Sequence, residues 1–492
     1  MPSTTLAGGA EGLTELTSLI ARTVAGMLEE GPARGPLPSG APREVLGAAK
    51  AMLGPAELPE QGLGADLALH WLAMAHARYG LDLYHPHAAA HLQPPPLTVA
   101  VAADALASAA NASLDTYDSG PAALAVEGWV IEVLARMAGM AGAGGVLTPG
   151  GSMSNLLALL LARDHAATRR GLDVRRDGVA TLPRPVVLAS EVAHFSVRRA
   201  CAALGLGEAA VHTVGVDSRY RMRPDALSVR LDELSRHCTP IAVVATAGTT
   251  DFGSLDPLPQ IAEVAAQHRV WMHVDAAYGF GALFSDQLAP LLAGLKTADS
   301  VTLDLHKIGW QPAPASAVLV RDVASFAPMD YQVGYLNPLD DSEAGYDGLL
   351  GRSLQTTRRA DALKIAATLL AYGRSGLGQM VDICHGLARH AQQRIDAEAM
   401  LELVSPAELT TVVFRYRGSQ PGADSRLNAE LRRRLLRSGQ VLIGRTTVAL
   451  NGPAEPPSVC LKLTLLNPAA RPEDIDTLLD AVLAAGHAEE TG

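Results

Sequence analysis

Between Gly145 and Val320 the chain repeats one pattern: a short apolar run, then a longer segment with the composition of a helix. The runs are Gly145–Thr148, Val186–Leu188, Val211–Val214, Ile241–Thr246, Trp271–Val274, Val301–Leu303 and Ala317–Val320. Strand-length runs separated by helix-length segments pair through crossovers. The pattern therefore predicts an α/β fold with a mainly parallel sheet and helices on both faces. One run differs, because Val301, Leu303 and Leu305 alternate with Thr302 and Asp304. That alternation predicts a half-buried strand. In such sheets ligands gather beyond the carboxyl ends of the strands, so the polar residues just after each run are the candidates for function.

The flanks read differently. Leu13, Leu16, Ile20, Val24 and Met27 fall on one face of a helix, a Pro/Gly segment (Gly31 to Pro42) ends it, and Leu67–Ala77 reads as a second helix. From Val99 to Ala141 the chain is rich in Ala and Leu and reads as helices. Past Gly373 come strand candidates at Leu401–Val404, Thr411–Tyr416, Val441–Leu450 and Val459–Leu465, with helices at Ser425–Ser438 and Pro472–Ala485. The expected division is an N-terminal helical arm and dimerisation segment (1–95), a large domain (96–372) and a small α+β domain (373–492). An amphipathic arm needs a surface to cover, and in an oligomer a second copy of the chain supplies one.

The 492 residues, 48% hydrophobic and 18% charged, are globular in composition and long enough for a large core. A net charge of −11 argues against nucleic acid or an anionic membrane as partner. Met137 to Ala162 carries no charge, but Gly144-Gly145, Pro149-Gly150-Gly151 and Asn155 interrupt it, as in a buried strand, turn and helix. The first positive charge is Arg22, which does not fit a secretory signal. Cys201, Cys238, Cys384 and Cys460 lie far apart with no CxxC, as expected of a reduced, cytoplasmic protein. His85, His87 and His91 suggest a metal cluster, but Pro86 and Pro94-Pro95-Pro96 oppose a regular helix there, so no metal site is expected.

Only five lysines stand against 35 arginines. One of them, Lys307, follows Asp304 and His306 at a strand end. Arginine cannot lose a proton and form an imine with an aldehyde, whereas lysine can. Taken alone, a snorkelling lysine is an equal reading. Three other strand ends change the balance. Thr148-Pro-Gly-Gly-Ser-Met-Ser-Asn155 runs straight into an apolar helix, an N-terminus able to cradle phosphate, or simply a glycine-rich cap. His194 follows the second run and Gly248-Thr249-Thr250 the fourth. Asp275 ends the fifth, beside small Ala276 and Ala277; a carboxylate there needs a positive partner, and a pyridinium N–H is one. Phosphate cradle, stacking ring, buried carboxylate and imine-forming lysine together are what pyridoxal phosphate requires. Gly150-Gly151 fits neither G-x-G-x-x-G nor a P-loop, which would need G-K-[ST].

In these stretches, with Asn111–Leu114, Ser353–Lys364 and Leu461–Pro468, the chain resembles the pyridoxal-phosphate-dependent decarboxylases of the aromatic-amino-acid, glutamate and diaminobutyrate group. The spellings Leu305–Pro312, Gln355–Arg359 and Leu465–Pro468 are most similar to the L-2,4-diaminobutyrate decarboxylase branch. The resemblance implies the type I (aspartate aminotransferase-like) fold. It implies that Lys307 carries the cofactor, His194 stacks on its ring, Asp275 pairs with the ring nitrogen and Ala277 packs on the opposite face. Gly151, Ser152, Asp304 and His306 would surround the phosphate, with Thr250 close to the ring. A tyrosine on the Met329–Leu350 segment would return a proton; of Tyr331, Tyr335 and Tyr346, the last is the choice. Pro149, Phe280 and Gln311–Ser316 depart from the family pattern. The expected function is α-decarboxylation of a small-molecule L-amino acid to an amine and CO2 by a homodimer. An aminotransferase, a lyase or an oxidative decarboxylase–deaminase on the same fold is the alternative. A non-catalytic relative fits poorly, since Lys307, Asp275 and His194 are all retained.

Overall fold

A computed structural model of the chain describes residues 6–32, 34–419, 424–450 and 457–491. By internal contact these fall into two compact units. One comprises Pro96–His385 with Ala407–Leu409, the other Met1–Pro95, Gly386–Pro406 and Thr410–Gly492. The expected three-part division joins its first and last parts in this grouping. Ala88–Ala89 pairs in parallel with Leu442–Ile443, a strand that two alanines do not announce. Gly373, at φ 58°, breaks the long helix Ala362–Asp396, which continues beyond it.

The first unit is built on a seven-stranded sheet. Its order is Gly144–Thr148, Ser316–Val320, Ser300–Asp304, Trp271–Ala276, Thr239–Thr246, Pro185–Ser190 and Val211–Val214. Every apolar run of the repeat is a strand here, most of them slightly longer at the ends. The four ladders from Ser300–Asp304 across to Val211–Val214 are parallel, and Ser316–Val320 alone runs antiparallel to its neighbours.

Two details of burial matter for the site. Ser300–Asp304, expected to be half-buried, is buried at every position. Its polar residues face protein partners rather than water: Ser300 meets Trp271 and His273, and Asp304 meets Lys307. The helix Gly151–Thr168 is apolar around nearly its whole circumference and buried from Leu157 to Ala162. Leu157, Leu159 and Leu161 share a core cluster with Val187, Val244 and Val318. An all-round apolar helix is stable only inside such a core, which accounts for the uncharged stretch. No helix among the described residues is long and apolar enough to cross a membrane.

In the second unit a five-stranded sheet runs Ala88–Ala89, Leu442–Val448, Ser458–Thr464, Thr411–Tyr416, Leu401–Ser405. Helices Asp424–Ser438 and Pro472–Thr491 accompany it, as do Gly9–Glu30, Pro42–Met52 and Ala65–Tyr79. Pro42–Met52 starts where the Pro/Gly segment ends, with Pro42 in the first turn, a position that does not need its missing N–H.

Candidate active site

Parallel strands end together, so their carboxyl ends carry consecutive loops to one place. There the loops enclose a cleft of about 460 Å³. Gly151 and Ser152 enter it from the turn after Thr148, His194 from the loop after Ser190, and Thr250 from the turn after Thr246. Asp275 and Ala277 come from the next strand end, and Asp304, His306 and Lys307 from the one beyond. Nine residues singled out from the sequence therefore share one cavity.

The Lys307 ammonium nitrogen lies 3.0 Å from Asp304 Oδ2, and His306 Nε2 lies 3.6 Å from the same oxygen. His306 Nδ1 accepts the Ala315 N–H at 3.3 Å. Burial lowers the pKa of His306, outweighing the opposite pull of Asp304. Burial does the same at His194, against the pull of Asp275. Both imidazoles are thereby biased toward the neutral form.

Asp275 is satisfied on both oxygens. Oδ2 accepts from Asn155 Nδ2 at 2.8 Å, and Oδ1 accepts the Ala277 N–H at 3.1 Å. These bonds fix the direction of a carboxylate otherwise costly to bury. Behind the glycine turn, Glu127 accepts the Leu147 N–H at 3.1 Å and pairs with Arg358 at 2.8 Å, both residues buried. That pair pins the last turn of strand before the cradle.

Some residues stand elsewhere. Tyr346 is 55% exposed, lies edge-on to Tyr117 at 5.4 Å and does not line the cleft. Tyr335 is exposed as well. Tyr331 lines a larger hollow of about 770 Å³, with Arg175 over its ring at 4.7 Å, and that hollow holds none of the cleft residues. Volume does not identify the site; the chemistry of its walls does. Conversely, Asn155, Ser196 and His273 were not singled out from the sequence. The signal for them is a polar residue inside an apolar element: Asn155 before a leucine run, and His273 in the middle of a buried strand.

Two observations test whether these residues suit pyridoxal phosphate. A Cβ placed on Gly151 would lie 2.9 Å from Asp304 Oδ2 and 3.2 Å from the Ala277 Cβ, so only glycine leaves the cradle open. Asp304 Oδ1 and Thr246 Oγ1 are buried and have no hydrogen-bond partner among the described residues, polar capacity that an unfilled protein fold does not normally retain. Cradle, aldehyde-reactive lysine and directed carboxylate fit the group.

A fold and cleft of this kind define a pyridoxal-phosphate enzyme, and comparison narrows the class. The pyridoxal-dependent decarboxylase conserved domain matches residues 76–417. An L-2,4-diaminobutyrate decarboxylase of Rhizobium meliloti (strain 1021) is 42% identical over 430 residues, 86% of this chain and 83% of that protein. An L-2,4-diaminobutyrate decarboxylase of Acinetobacter baumannii is 35% identical over 438 residues, covering 86% and 84%. The glutamate decarboxylase domain of a Vibrio parahaemolyticus diaminobutyrate–pyruvate transaminase and L-2,4-diaminobutyrate decarboxylase superposes with a TM-score of 0.86. It is 29% identical, with 98% of each chain covered.

The chain belongs to the pyridoxal-dependent decarboxylase family. It has the type I fold, uses pyridoxal phosphate and is an amino acid decarboxylase, the activity that both diaminobutyrate relatives are named for.

Proposed function

We propose that the substrate is L-2,4-diaminobutyrate, released as the three-carbon diamine and CO2, and that the cleft residues divide the work as follows. Pyridoxal phosphate, when bound, withdraws electrons from a bond at the amino acid's Cα. Lys307 is the attachment point for the cofactor aldehyde. Asp275 holds the protonated ring nitrogen, and His194 and Ala277 flank the ring, with Thr250 at its edge. Gly151, Ser152 and His306 receive the phosphate, with Asp304 braced behind Lys307 and His306. The residues around the cleft would have to orient the substrate carboxylate toward the cofactor and keep water out.

The observation that carries this reading is the meeting of Lys307 with Asp304 at 3.0 Å in the same cleft as the directed Asp275 carboxylate. The diaminobutyrate specificity is supported by the names of the relatives above. Tyr346 is the proposed donor of the proton that replaces the carboxylate. Because it stands outside the cleft here, that role requires its segment to close over the site or to come from a second copy.

The chain is proposed to work as a homodimer in the cytoplasm. Ile20, Val24 and Leu28 on the first helix and Trp71 and Leu72 on the third are exposed, an apolar surface suited to a second copy. All four cysteines are free, as a reducing compartment requires.

Mass spectrometry of reactions with the common L-amino acids and 2,4-diaminobutyrate, with absorbance followed in the same wells, tests the reading. CO2 and 1,3-diaminopropane from diaminobutyrate is the expected result. CO2 and the matching amine from a different amino acid instead overturn the substrate assignment alone. Sedimentation of the cofactor-loaded protein should give a dimer, and an active monomer would remove that part.

A further inference from the structure

Beneath Asp275 lies a buried chain of hydrogen bonds in which every donor can be assigned. Trp271 Nε1 contacts Ser300 Oγ at 2.9 Å, and Ser300 Oγ contacts His273 Nδ1 at 2.8 Å. His273 Nε2 meets Asn155 Oδ1 at 2.9 Å. Asn155 Nδ2 reaches both Asp275 Oδ2 at 2.8 Å and Ser196 Oγ at 2.9 Å. Ser196 Oγ in turn lies 2.8 Å from His194 Nδ1. Asn155, Ser196, His273 and Ser300 are almost completely buried.

An indole N–H only donates and a carboxylate only accepts, so both ends of the chain are fixed. Asp275 requires the NH2 side of Asn155, which spends its two hydrogens on Asp275 and Ser196. Asn155 Oδ1 then has to accept, so the His273 proton sits on Nε2. His273 Nδ1 accepts from Ser300, which accepts from Trp271. On the other arm His194 Nδ1 accepts the Ser196 N–H at 3.3 Å, so it accepts from the Ser196 hydroxyl too and the His194 proton sits on Nε2. Burial pushes the His273 pKa down to about 4, which keeps it neutral and able to play both parts.

We infer that His273 is a positioning residue for the cofactor. Through Asn155 alone, it aims the Asp275 carboxylate. Without the His273 donor Asn155 Oδ1 is left buried with its hydrogen bond lost, and the amide that aims Asp275 is held from one side only. The inference rests on the proposed pairing of Asp275 with the ring nitrogen.

The test compares His273→Leu, His273→Gln and Asp275→Ala, each as full-length apoprotein. Affinity for pyridoxal phosphate is read by quenching of protein fluorescence, the absorbance band of the bound cofactor is recorded, and thermal unfolding reports folding. His273→Leu should bind roughly 10- to 100-fold more weakly, the range for losing a hydrogen bond that supports a charged group, and its band should shift. His273→Gln can still offer an amide N–H to Asn155 Oδ1 and should recover most of the affinity and the band. A folded Leu variant with wild-type affinity and absorbance overturns the inference, as does a folded Gln variant no better than Leu. If the Leu variant does not fold, Asn155→Ala takes its place with the same expected loss, and wild-type binding by it overturns the inference equally. If Asp275→Ala itself binds and absorbs like the wild type, the proposed role of Asp275 fails instead.

Discussion

Asp304 and Asp256 are equally deep, each 3% exposed, yet their surroundings use them differently. Asp256 accepts the Met222 N–H at 2.6 Å and the Thr246 N–H at 2.8 Å, and both its oxygens are occupied by backbone. Asp304 gives one oxygen to Lys307 and His306, and the other is buried without a partner among the described residues. Asp256 thus ties a loop to the end of a strand, whereas Asp304 holds capacity in reserve beside an open cleft. Depth of burial does not separate a structural brace from a functional group. What the partners leave over does.

The comparison breaks most visibly at Lys307. Lys307→Ala removes the ammonium from Asp304 and the proposed attachment point, and CO2 release should fall on the order of 10³-fold or more, with no visible cofactor band. A yellow, fully active variant would refute the role given to this lysine.

Substituting the two aspartates should then give opposite patterns. Asp256→Ala strands two backbone N–H groups and should lower stability to urea by about 2–5 kcal/mol, with cofactor affinity near the wild type. Asp304→Asn keeps the shape but loses the charge facing Lys307; turnover should fall about 10- to 100-fold with little change in the unfolding midpoint. If Asp304→Asn unfolds early while Asp256→Ala loses only turnover, the two have been read the wrong way round.

A further effect lies in the pH dependence of stability. Burial raises the Asp256 carboxyl from 3.8 to about 6, against the pull of its two backbone donors. Between those values the folded state binds a proton that the unfolded state does not. Its contribution to stability is therefore fully present below pH 3.8 and is lost as pH rises through about 6. Urea midpoints from pH 4 to 7 should show wild type losing up to about 3 kcal/mol relative to Asp256→Asn over this range. A pH-independent difference would mean that Asp256 is not protonated in the folded protein at pH 4.

Legibility in the sequence followed how local each signal was. The strands of the large sheet were readable because both their faces are buried, so each is an unbroken apolar run. Lys307 and Asp275 are readable because an ionisable group is costly at such positions, and lysine is rare in this chain. Ser300–Asp304 was misjudged because alternation with Thr and Asp looks like exposure to water until the internal partners are known. Ala88–Ala89 carries no pattern, and its pairing is decided by the strand beside it.

Sequence by itself determined the alternating architecture, the carboxyl-end location of the reactive groups and the kind of cofactor they suit, since each depends on residue type and short-range order. Tertiary structure alone decided the supporting network. His273 and Asn155 are 118 residues apart, and Glu127 and Arg358 are 231 apart. A hydrogen bond needs its atoms within about 3 Å and correctly directed, and no spacing along a chain encodes that until the strands have paired.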